Sequence, residues 1–201
     1  MRTAAILTAV GVAVVAAGCL GDDSTADGVA PARPQAADST VGCDRRSEPP
    51  PSEAVRTGED AHVAAAALRD GGRFELFTFR GAPFRMRLGA RRVWVWKAPA
   101  SLSADRTVIL AVGSRNTSRA RLAFGPFART FARSDRAVRF TSCPPDEPLF
   151  SGDGVVGPTT GWGGSLITTD RRICLRLRVF SGGASSPLPV PLGRPCPSGD
   201  G

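Results

Sequence analysis

Residues 173–179, ICLRLRV, alternate apolar and polar side chains without a break. A period of two places Ile173, Leu175, Leu177 and Val179 on one face of a β-strand and Cys174, Arg176 and Arg178 on the other, which is the pattern of a strand with one wet face. A helix of the same residues would scatter the apolar side chains around its axis and bury none of them together. The segment therefore commits this part of the chain to a sheet with a core on one side.

Other segments agree with it. Residues 74–79 (FELFTF), 92–96 (RVWVW), 108–112 (VILAV), 120–124, 137–141 (AVRFT) and 165–169 are apolar, β-branched or aromatic, and VPLG precedes Cys196. Gly, Pro, Asn and Ser stand between them at intervals of about 10 to 15 residues, so the expected fold is mainly β, an antiparallel β-sandwich of the Ig-like kind. Asn116-Thr117-Ser118 reads as a hairpin tip, residues 144–164 as a long connection, and Gly161-Trp162-Gly163-Gly164 as a glycine-rich turn. One segment differs: in residues 58–70, GEDAHVAAAALRD, Thr57 and Asp60 form a capping-box variant, acids fill the first turn, four consecutive alanines supply propensity and Gly71 follows. That combination predicts one short N-terminal helix packed on the sheet.

Cysteines supply the next constraint. AVRFTSC, read with the same alternation, turns Val138 and Phe140 inward and Arg139, Thr141 and Cys143 outward, and Cys174 is likewise on an outer face. Setting Cys19 aside leaves Cys43, Cys143, Cys174 and Cys196, an even set that predicts two disulfides. The expected pairing is Cys43 with Cys174 and Cys143 with Cys196, each clamping a passing segment against the sheet. A metal site is not expected, because no pair has C-x₂₋₄-C spacing and His62 is the only histidine.

The N-terminus points to an address. Residues 1–18 carry one charge, Arg2, and then an uncharged run through Gly18 rich in Ala, Val, Ile and Leu, the charged and apolar regions of a secretory signal. The run is shorter than the roughly 20 apolar residues of a membrane-spanning helix. Ala16-Ala17-Gly18-Cys19 resembles the lipobox of bacterial lipoproteins, departing from it at Ala16, where Leu or Val is usual. The resemblance implies cleavage before Cys19, diacylation of that cysteine, and residence on the outer face of the membrane; an ordinary signal cut at an A-x-A-like site is the alternative. From roughly Cys143 to Cys196, the order of strand, cysteine, GWGG turn, cysteine-bearing strand and VPLG is similar to lipoproteins of GC-rich Gram-positive bacteria without an assigned activity, and transfers no functional residue. The domain organisation expected is signal peptide 1–18, an acidic, proline-rich tether 19–55 and a β domain 56–198. Low hydrophobicity with prolines cannot repay ordering entropy in the tether.

Charge divides along the same boundary. Residues 19–60 hold nine acidic side chains against four arginines, whereas residues 61–201 hold 21 basic against nine acidic, with Lys97 the only lysine. Outside the cell the polyanions on offer are phospholipid headgroups and anionic wall polymers, so nucleic acid is not an expected partner. Trp94 and Trp96 fall on one face of their strand and, with Arg92 and Lys97 (and Arg91) beside them, form a candidate ligand platform, the alternative being that both indoles are core.

Catalytic patterns are weak. Nucleophilic triads usually use a histidine as the proton carrier, and His62 lies in the Ala-rich segment. Gly161-Trp162-Gly163-Gly164-Ser165 is not a G-x-S-x-G elbow. No phosphate-cradling loop is present, and no cofactor is expected. The leading expectation is therefore a membrane-anchored protein that binds an anionic envelope component or a protein partner without catalysis. The alternative is an envelope hydrolase using the loop carboxylates Asp146, Glu147, Asp153 and Asp170.

Overall fold

The protein is described by a computed structural model covering residues 36–47, 61–79, 81, 83–146 and 159–197. All of these lie in one unit, Pro31–Gly201. The signal segment, Cys19, Thr57, Glu147 and Asp153 lie outside the described residues.

Thirteen strands occur among the described residues: β1 (Ser39–Val41), β2 (Ala61–Ala67), β3 (Arg73–Phe79), β4 (Phe84–Leu88), β5 (Arg91–Lys97), β6 (Ala100–Ser103), β7 (Thr107–Val112), β8 (Ala120–Ala123), β9 (Ala137–Thr141), β10 (Thr159–Trp162), β11 (Ser165–Thr168), β12 (Ile173–Ser181) and β13 (Ala184–Leu192). They form one five-stranded sheet, β1-β9-β7-β12-β13, and two four-stranded sheets, β10-β6-β3-β2 and β4-β5-β11-β8. Every described pairing is antiparallel except that of β1 with β9. All three sheets turn apolar side chains into one core, so the fold is mainly β and sandwich-like. Phe140 stands in the middle of that core, with its ring centroid 5.4 Å from Phe74, 4.8 Å from Phe124 and 5.2 Å from Trp162.

The alternation in residues 173–179 is realised in β12. Ile173, Leu175, Leu177 and Val179 are buried, while Cys174, Arg176 and Arg178 remain part-exposed. Its partner β13 shows why three prolines are tolerated in a strand. The Gly113 N–H donates to the Arg176 carbonyl at 2.8 Å and the Arg176 N–H donates to Asn116 Oδ1 at 2.9 Å, so even-numbered β12 residues direct backbone groups away from β13. In register, Leu188, Val190 and Leu192 therefore bond to β12, and Pro187, Pro189 and Pro191 fall on the free edge. A missing N–H costs no ladder bond there, and it leaves the edge from Pro187 to Pro191 without donors for a foreign strand.

The expected helix is not formed. Residues 61–67 are strand β2, paired with β3 in seven-residue register from Ala61 with Phe79 to Ala67 with Arg73. Ala64, Ala66 and Leu68 are buried while Val63, Ala65 and Ala67 are exposed, a period of two that the uniform alanines conceal in the sequence. A helix of about a dozen residues is marginal in water, and alanine's small propensity advantage does not outweigh seven cross-strand pairs.

The disulfide pairing is also corrected. Cys43 bonds Cys143 and Cys174 bonds Cys196. β9 ends at Thr141, so the alternation lapses before Cys143, which is fully buried and not on the outer face. The expected tether includes residues 36–47, and these are folded onto the domain: Val41 is buried, and Asp38 Oδ2 accepts the N–H groups of Arg136 and Ala137 at 2.6 and 3.0 Å. Trp162, expected in a turn, is in β10 and donates from Nε1 to the Gly42 carbonyl at 2.9 Å. A Cβ at Gly164 would overlap the Phe124 ring, which accounts for the last glycine of GWGG. Asn116 is buried, and the turn it opens connects β7 to β8 in a different sheet instead of tipping a hairpin.

Candidate functional site

β4 and β5 form a hairpin whose register puts Arg85 opposite Trp94 and Arg87 opposite Arg92. Because side chains alternate between faces, these four residues share one face of the hairpin. The other face carries Met86, Leu88, Val93 and Val95, packed with Phe131 and Ile167 in a small second core. Arg85, Arg87 and Arg92 are exposed, and no acid partners any of them among the described residues. Like charges directly across a strand pair are destabilising, so Arg87 opposite Arg92 is a local cost that the fold's stability does not require.

Trp94 is part-buried, and two guanidinium groups lie over its ring. Arg85 reaches it from β4, with Cζ 5.6 Å from the centroid, and Arg171 reaches it from the turn after β11 at 5.5 Å. Such contacts contribute roughly 0.5–1 kcal/mol at exposed sites. They also fix the positions of two long, otherwise mobile cations.

Trp96 points the same way but is buried, and its Nε1 donates to Thr168 Oγ1 at 3.2 Å. It floors a cleft of about 350 Å³ whose walls include His62, Thr78, Phe79, Arg171 and Arg172, at the small end of the range for ligand pockets. Gly193 closes the rim with φ of +63°, and a Cβ there would lie 3.2 Å from the Arg171 carbonyl. That backbone conformation suits glycine. Arg171 thus belongs both to the Trp94 stack and to the cleft.

The remaining candidate residues stand elsewhere. Lys97 is on the opposite face of β5 from Trp94, so the platform residues Arg92 and Trp94 come together on the surface, Trp96 continues into the core, and Lys97 is separated from all three. Arg91 also faces the other way, with its Cζ 5.3 Å from the Phe131 ring, alongside Arg121 at 4.5 Å. Arg121 is buried, donates to the carbonyls of Thr117 and Ala120, and has its pKa lowered, first by burial and then by Arg136 and Arg91. His62 is on the inward face of β2 at the cleft wall.

Among the carboxylates, Asp170 is paired with Arg119 at 2.9 Å and accepts from Thr169 Oγ1 at 2.9 Å. The Arg119 hydrogen bond holds the Asp170 carboxyl below the usual carboxylate range, the direction opposite to that of a general acid. Asp146 is exposed. No group of three or more metal-ligating side chains occurs among the described residues, and none of their helices is long and apolar enough to cross a membrane.

Arg85, Arg87, Arg171 and Arg172 were not among the residues expected at the site. The alternation of FRMRL in residues 84–88 was a signal for the first two. For Arg171 and Arg172, in a turn, the sequence offers none. Compared with known proteins, the chain matches no family model and no curated protein sequence.

Proposed function

We propose that this is a lipid-anchored extracytoplasmic protein whose Ig-like β domain binds an anionic component of the cell envelope without catalysis. The address rests on the leader and the Ala-Ala-Gly-Cys19 sequence, and on four further cysteines that pair off without Cys19. The binding reading is carried by one observation: Arg87 stands directly opposite Arg92, with Arg85 and Arg171 beside them over Trp94 and no acid to neutralise the group among the described residues. Clustered unpaired cations raise the local concentration of polyanions and speed their association. A fold that keeps a repulsive cross-strand pair while a single Glu would relieve it is retaining the charge for something other than stability.

Arg92→Glu separates the two roles. It puts an acid across from Arg87, so thermal stability stays the same or rises, by roughly 0.2–1 kcal/mol. At the same time, the mature chain elutes from an immobilised polyanion at clearly lower salt. Loss of stability together with unchanged elution would refute the reading. Intact-mass analysis of the membrane fraction tests the anchor: the expected species begins at Cys19 and carries acyl mass, and an unmodified soluble chain would overturn it.

A further inference from the structure

Resting on the anion-binding reading above, we propose that the arginine face and the cleft are one continuous site for an extended phosphodiester polymer, with one polymer unit seated in the cleft. The Arg87–Arg92 and Arg85–Trp94 pairs are successive on the same face of the hairpin. Two residues along a strand advance about 6.8 Å, so the cations repeat at a spacing of the same order as phosphates joined by three-carbon units. Arg171 continues the row, because its guanidinium lies over Trp94 and it also lines the cleft, where Arg172 follows it.

The chemistry of the two parts alternates as such a polymer does. Arginine forks bind phosphate oxygens in pairs. Between the cations, the Trp94 ring and the cleft's Phe79, Trp96 and Pro191 offer apolar surface to a neutral polyol spacer, with Thr78 and His62 beside them. A polycarboxylate with a charge on every unit has no neutral spacer to place there.

A bilayer surface fits less well. The cleft is concave, so a flat headgroup layer does not enter it. The exposed aromatic on this hairpin, Phe84 at 50 % exposure, is opposite Val95 and therefore on the other face from Trp94.

The test uses the mature chain carrying Cys19→Ser, so that no acyl chain holds it to a bilayer, and four probes: a synthetic glycerol-phosphate oligomer of about ten units, free glycerol 1-phosphate, poly-glutamate of matching charge, and phosphatidylcholine vesicles containing phosphatidylglycerol. The oligomer is expected to bind at least tenfold tighter than poly-glutamate or the vesicles. Arg92→Glu and Arg172→Glu should each weaken the oligomer at least tenfold, and only Arg172→Glu should weaken glycerol 1-phosphate, because only it changes the cleft. The slope of log affinity against log salt should fall in both variants, as cationic contacts are removed. Equal or tighter binding of poly-glutamate or vesicles, or an oligomer affinity unmoved by Arg172→Glu, overturns the inference and leaves anion binding standing. Failure of every probe to bind overturns the anion-binding reading itself.

Discussion

Replacing Cys43 and Cys143 together with alanine is expected to lower the unfolding free energy by about 4–5 kcal/mol, against about 3 kcal/mol for the Cys174 and Cys196 double replacement. The difference follows from the loops. The first bridge joins residues 100 positions apart and the second residues 22 apart, and a longer closed loop removes more freedom from the unfolded chain. The first bridge also has more folded structure behind it. Around Cys43, the Gly42 carbonyl accepts the Trp162 Nε1–H and the Ser47 N–H donates to the Gly161 carbonyl at 2.8 Å. The second bridge ties down Cys196, beyond the end of β13. Urea denaturation of the two double variants measures both values. Equal losses, or a larger loss from the C-terminal pair, would contradict this account.

Phe140→Ala is expected to cost about 3–5 kcal/mol, the range for an aromatic residue deleted from a packed core. Phe140 is fully buried, and its ring meets Phe74, Phe124 and Trp162 in tilted or edge-on geometry. No small movement of one sheet fills the void, since Phe74 and Trp162 come from β3 and β10 of one sheet and Phe124 follows β8 of another. Phe140→Leu should cost less, keeping most of the volume and losing chiefly the aromatic pairs, worth about 0.5–1.5 kcal/mol each beyond area. Denaturant midpoints for the two variants give the comparison. A Phe140→Ala loss below about 1 kcal/mol would mean that the aromatic group is not a shared centre of the core.

Both predictions concern features of unequal legibility. Phe140 was readable as an inward residue of β9 from the alternation in AVRFTSC, and the structure buries it. Cys143, three residues on, faces outward by the same rule yet is buried, because the strand has ended and the chain turns in. Alternation is reliable only while the ladder that enforces it continues.

The site divides in the same way. Trp94 and Arg92 were identifiable because strand periodicity alone places them together. Trp96 obeyed the same periodicity yet sank into the core, since the face that is open at the Arg92 end of β5 joins the main core cluster at the Trp96 end, where Leu166 stands beside it. Arg171 joins Trp94 only because β11 pairs with β5, a contact that no local pattern announces.

What the sequence determined by itself was local: the two-residue period of β12, an even set of four cysteines and the excess of arginine after residue 60. Each follows from side-chain chemistry acting within a few residues or from composition. Tertiary structure decided which cysteines bond, that residues 61–67 extend instead of coil, and that Arg85 and Arg171 meet over one indole with Arg87 and Arg92 paired beside it. The physical reason is that alanine, cysteine and arginine accept several local conformations at little cost. Their placement is then set by long-range strand pairing, whose energy belongs to both partners and is written in neither segment alone.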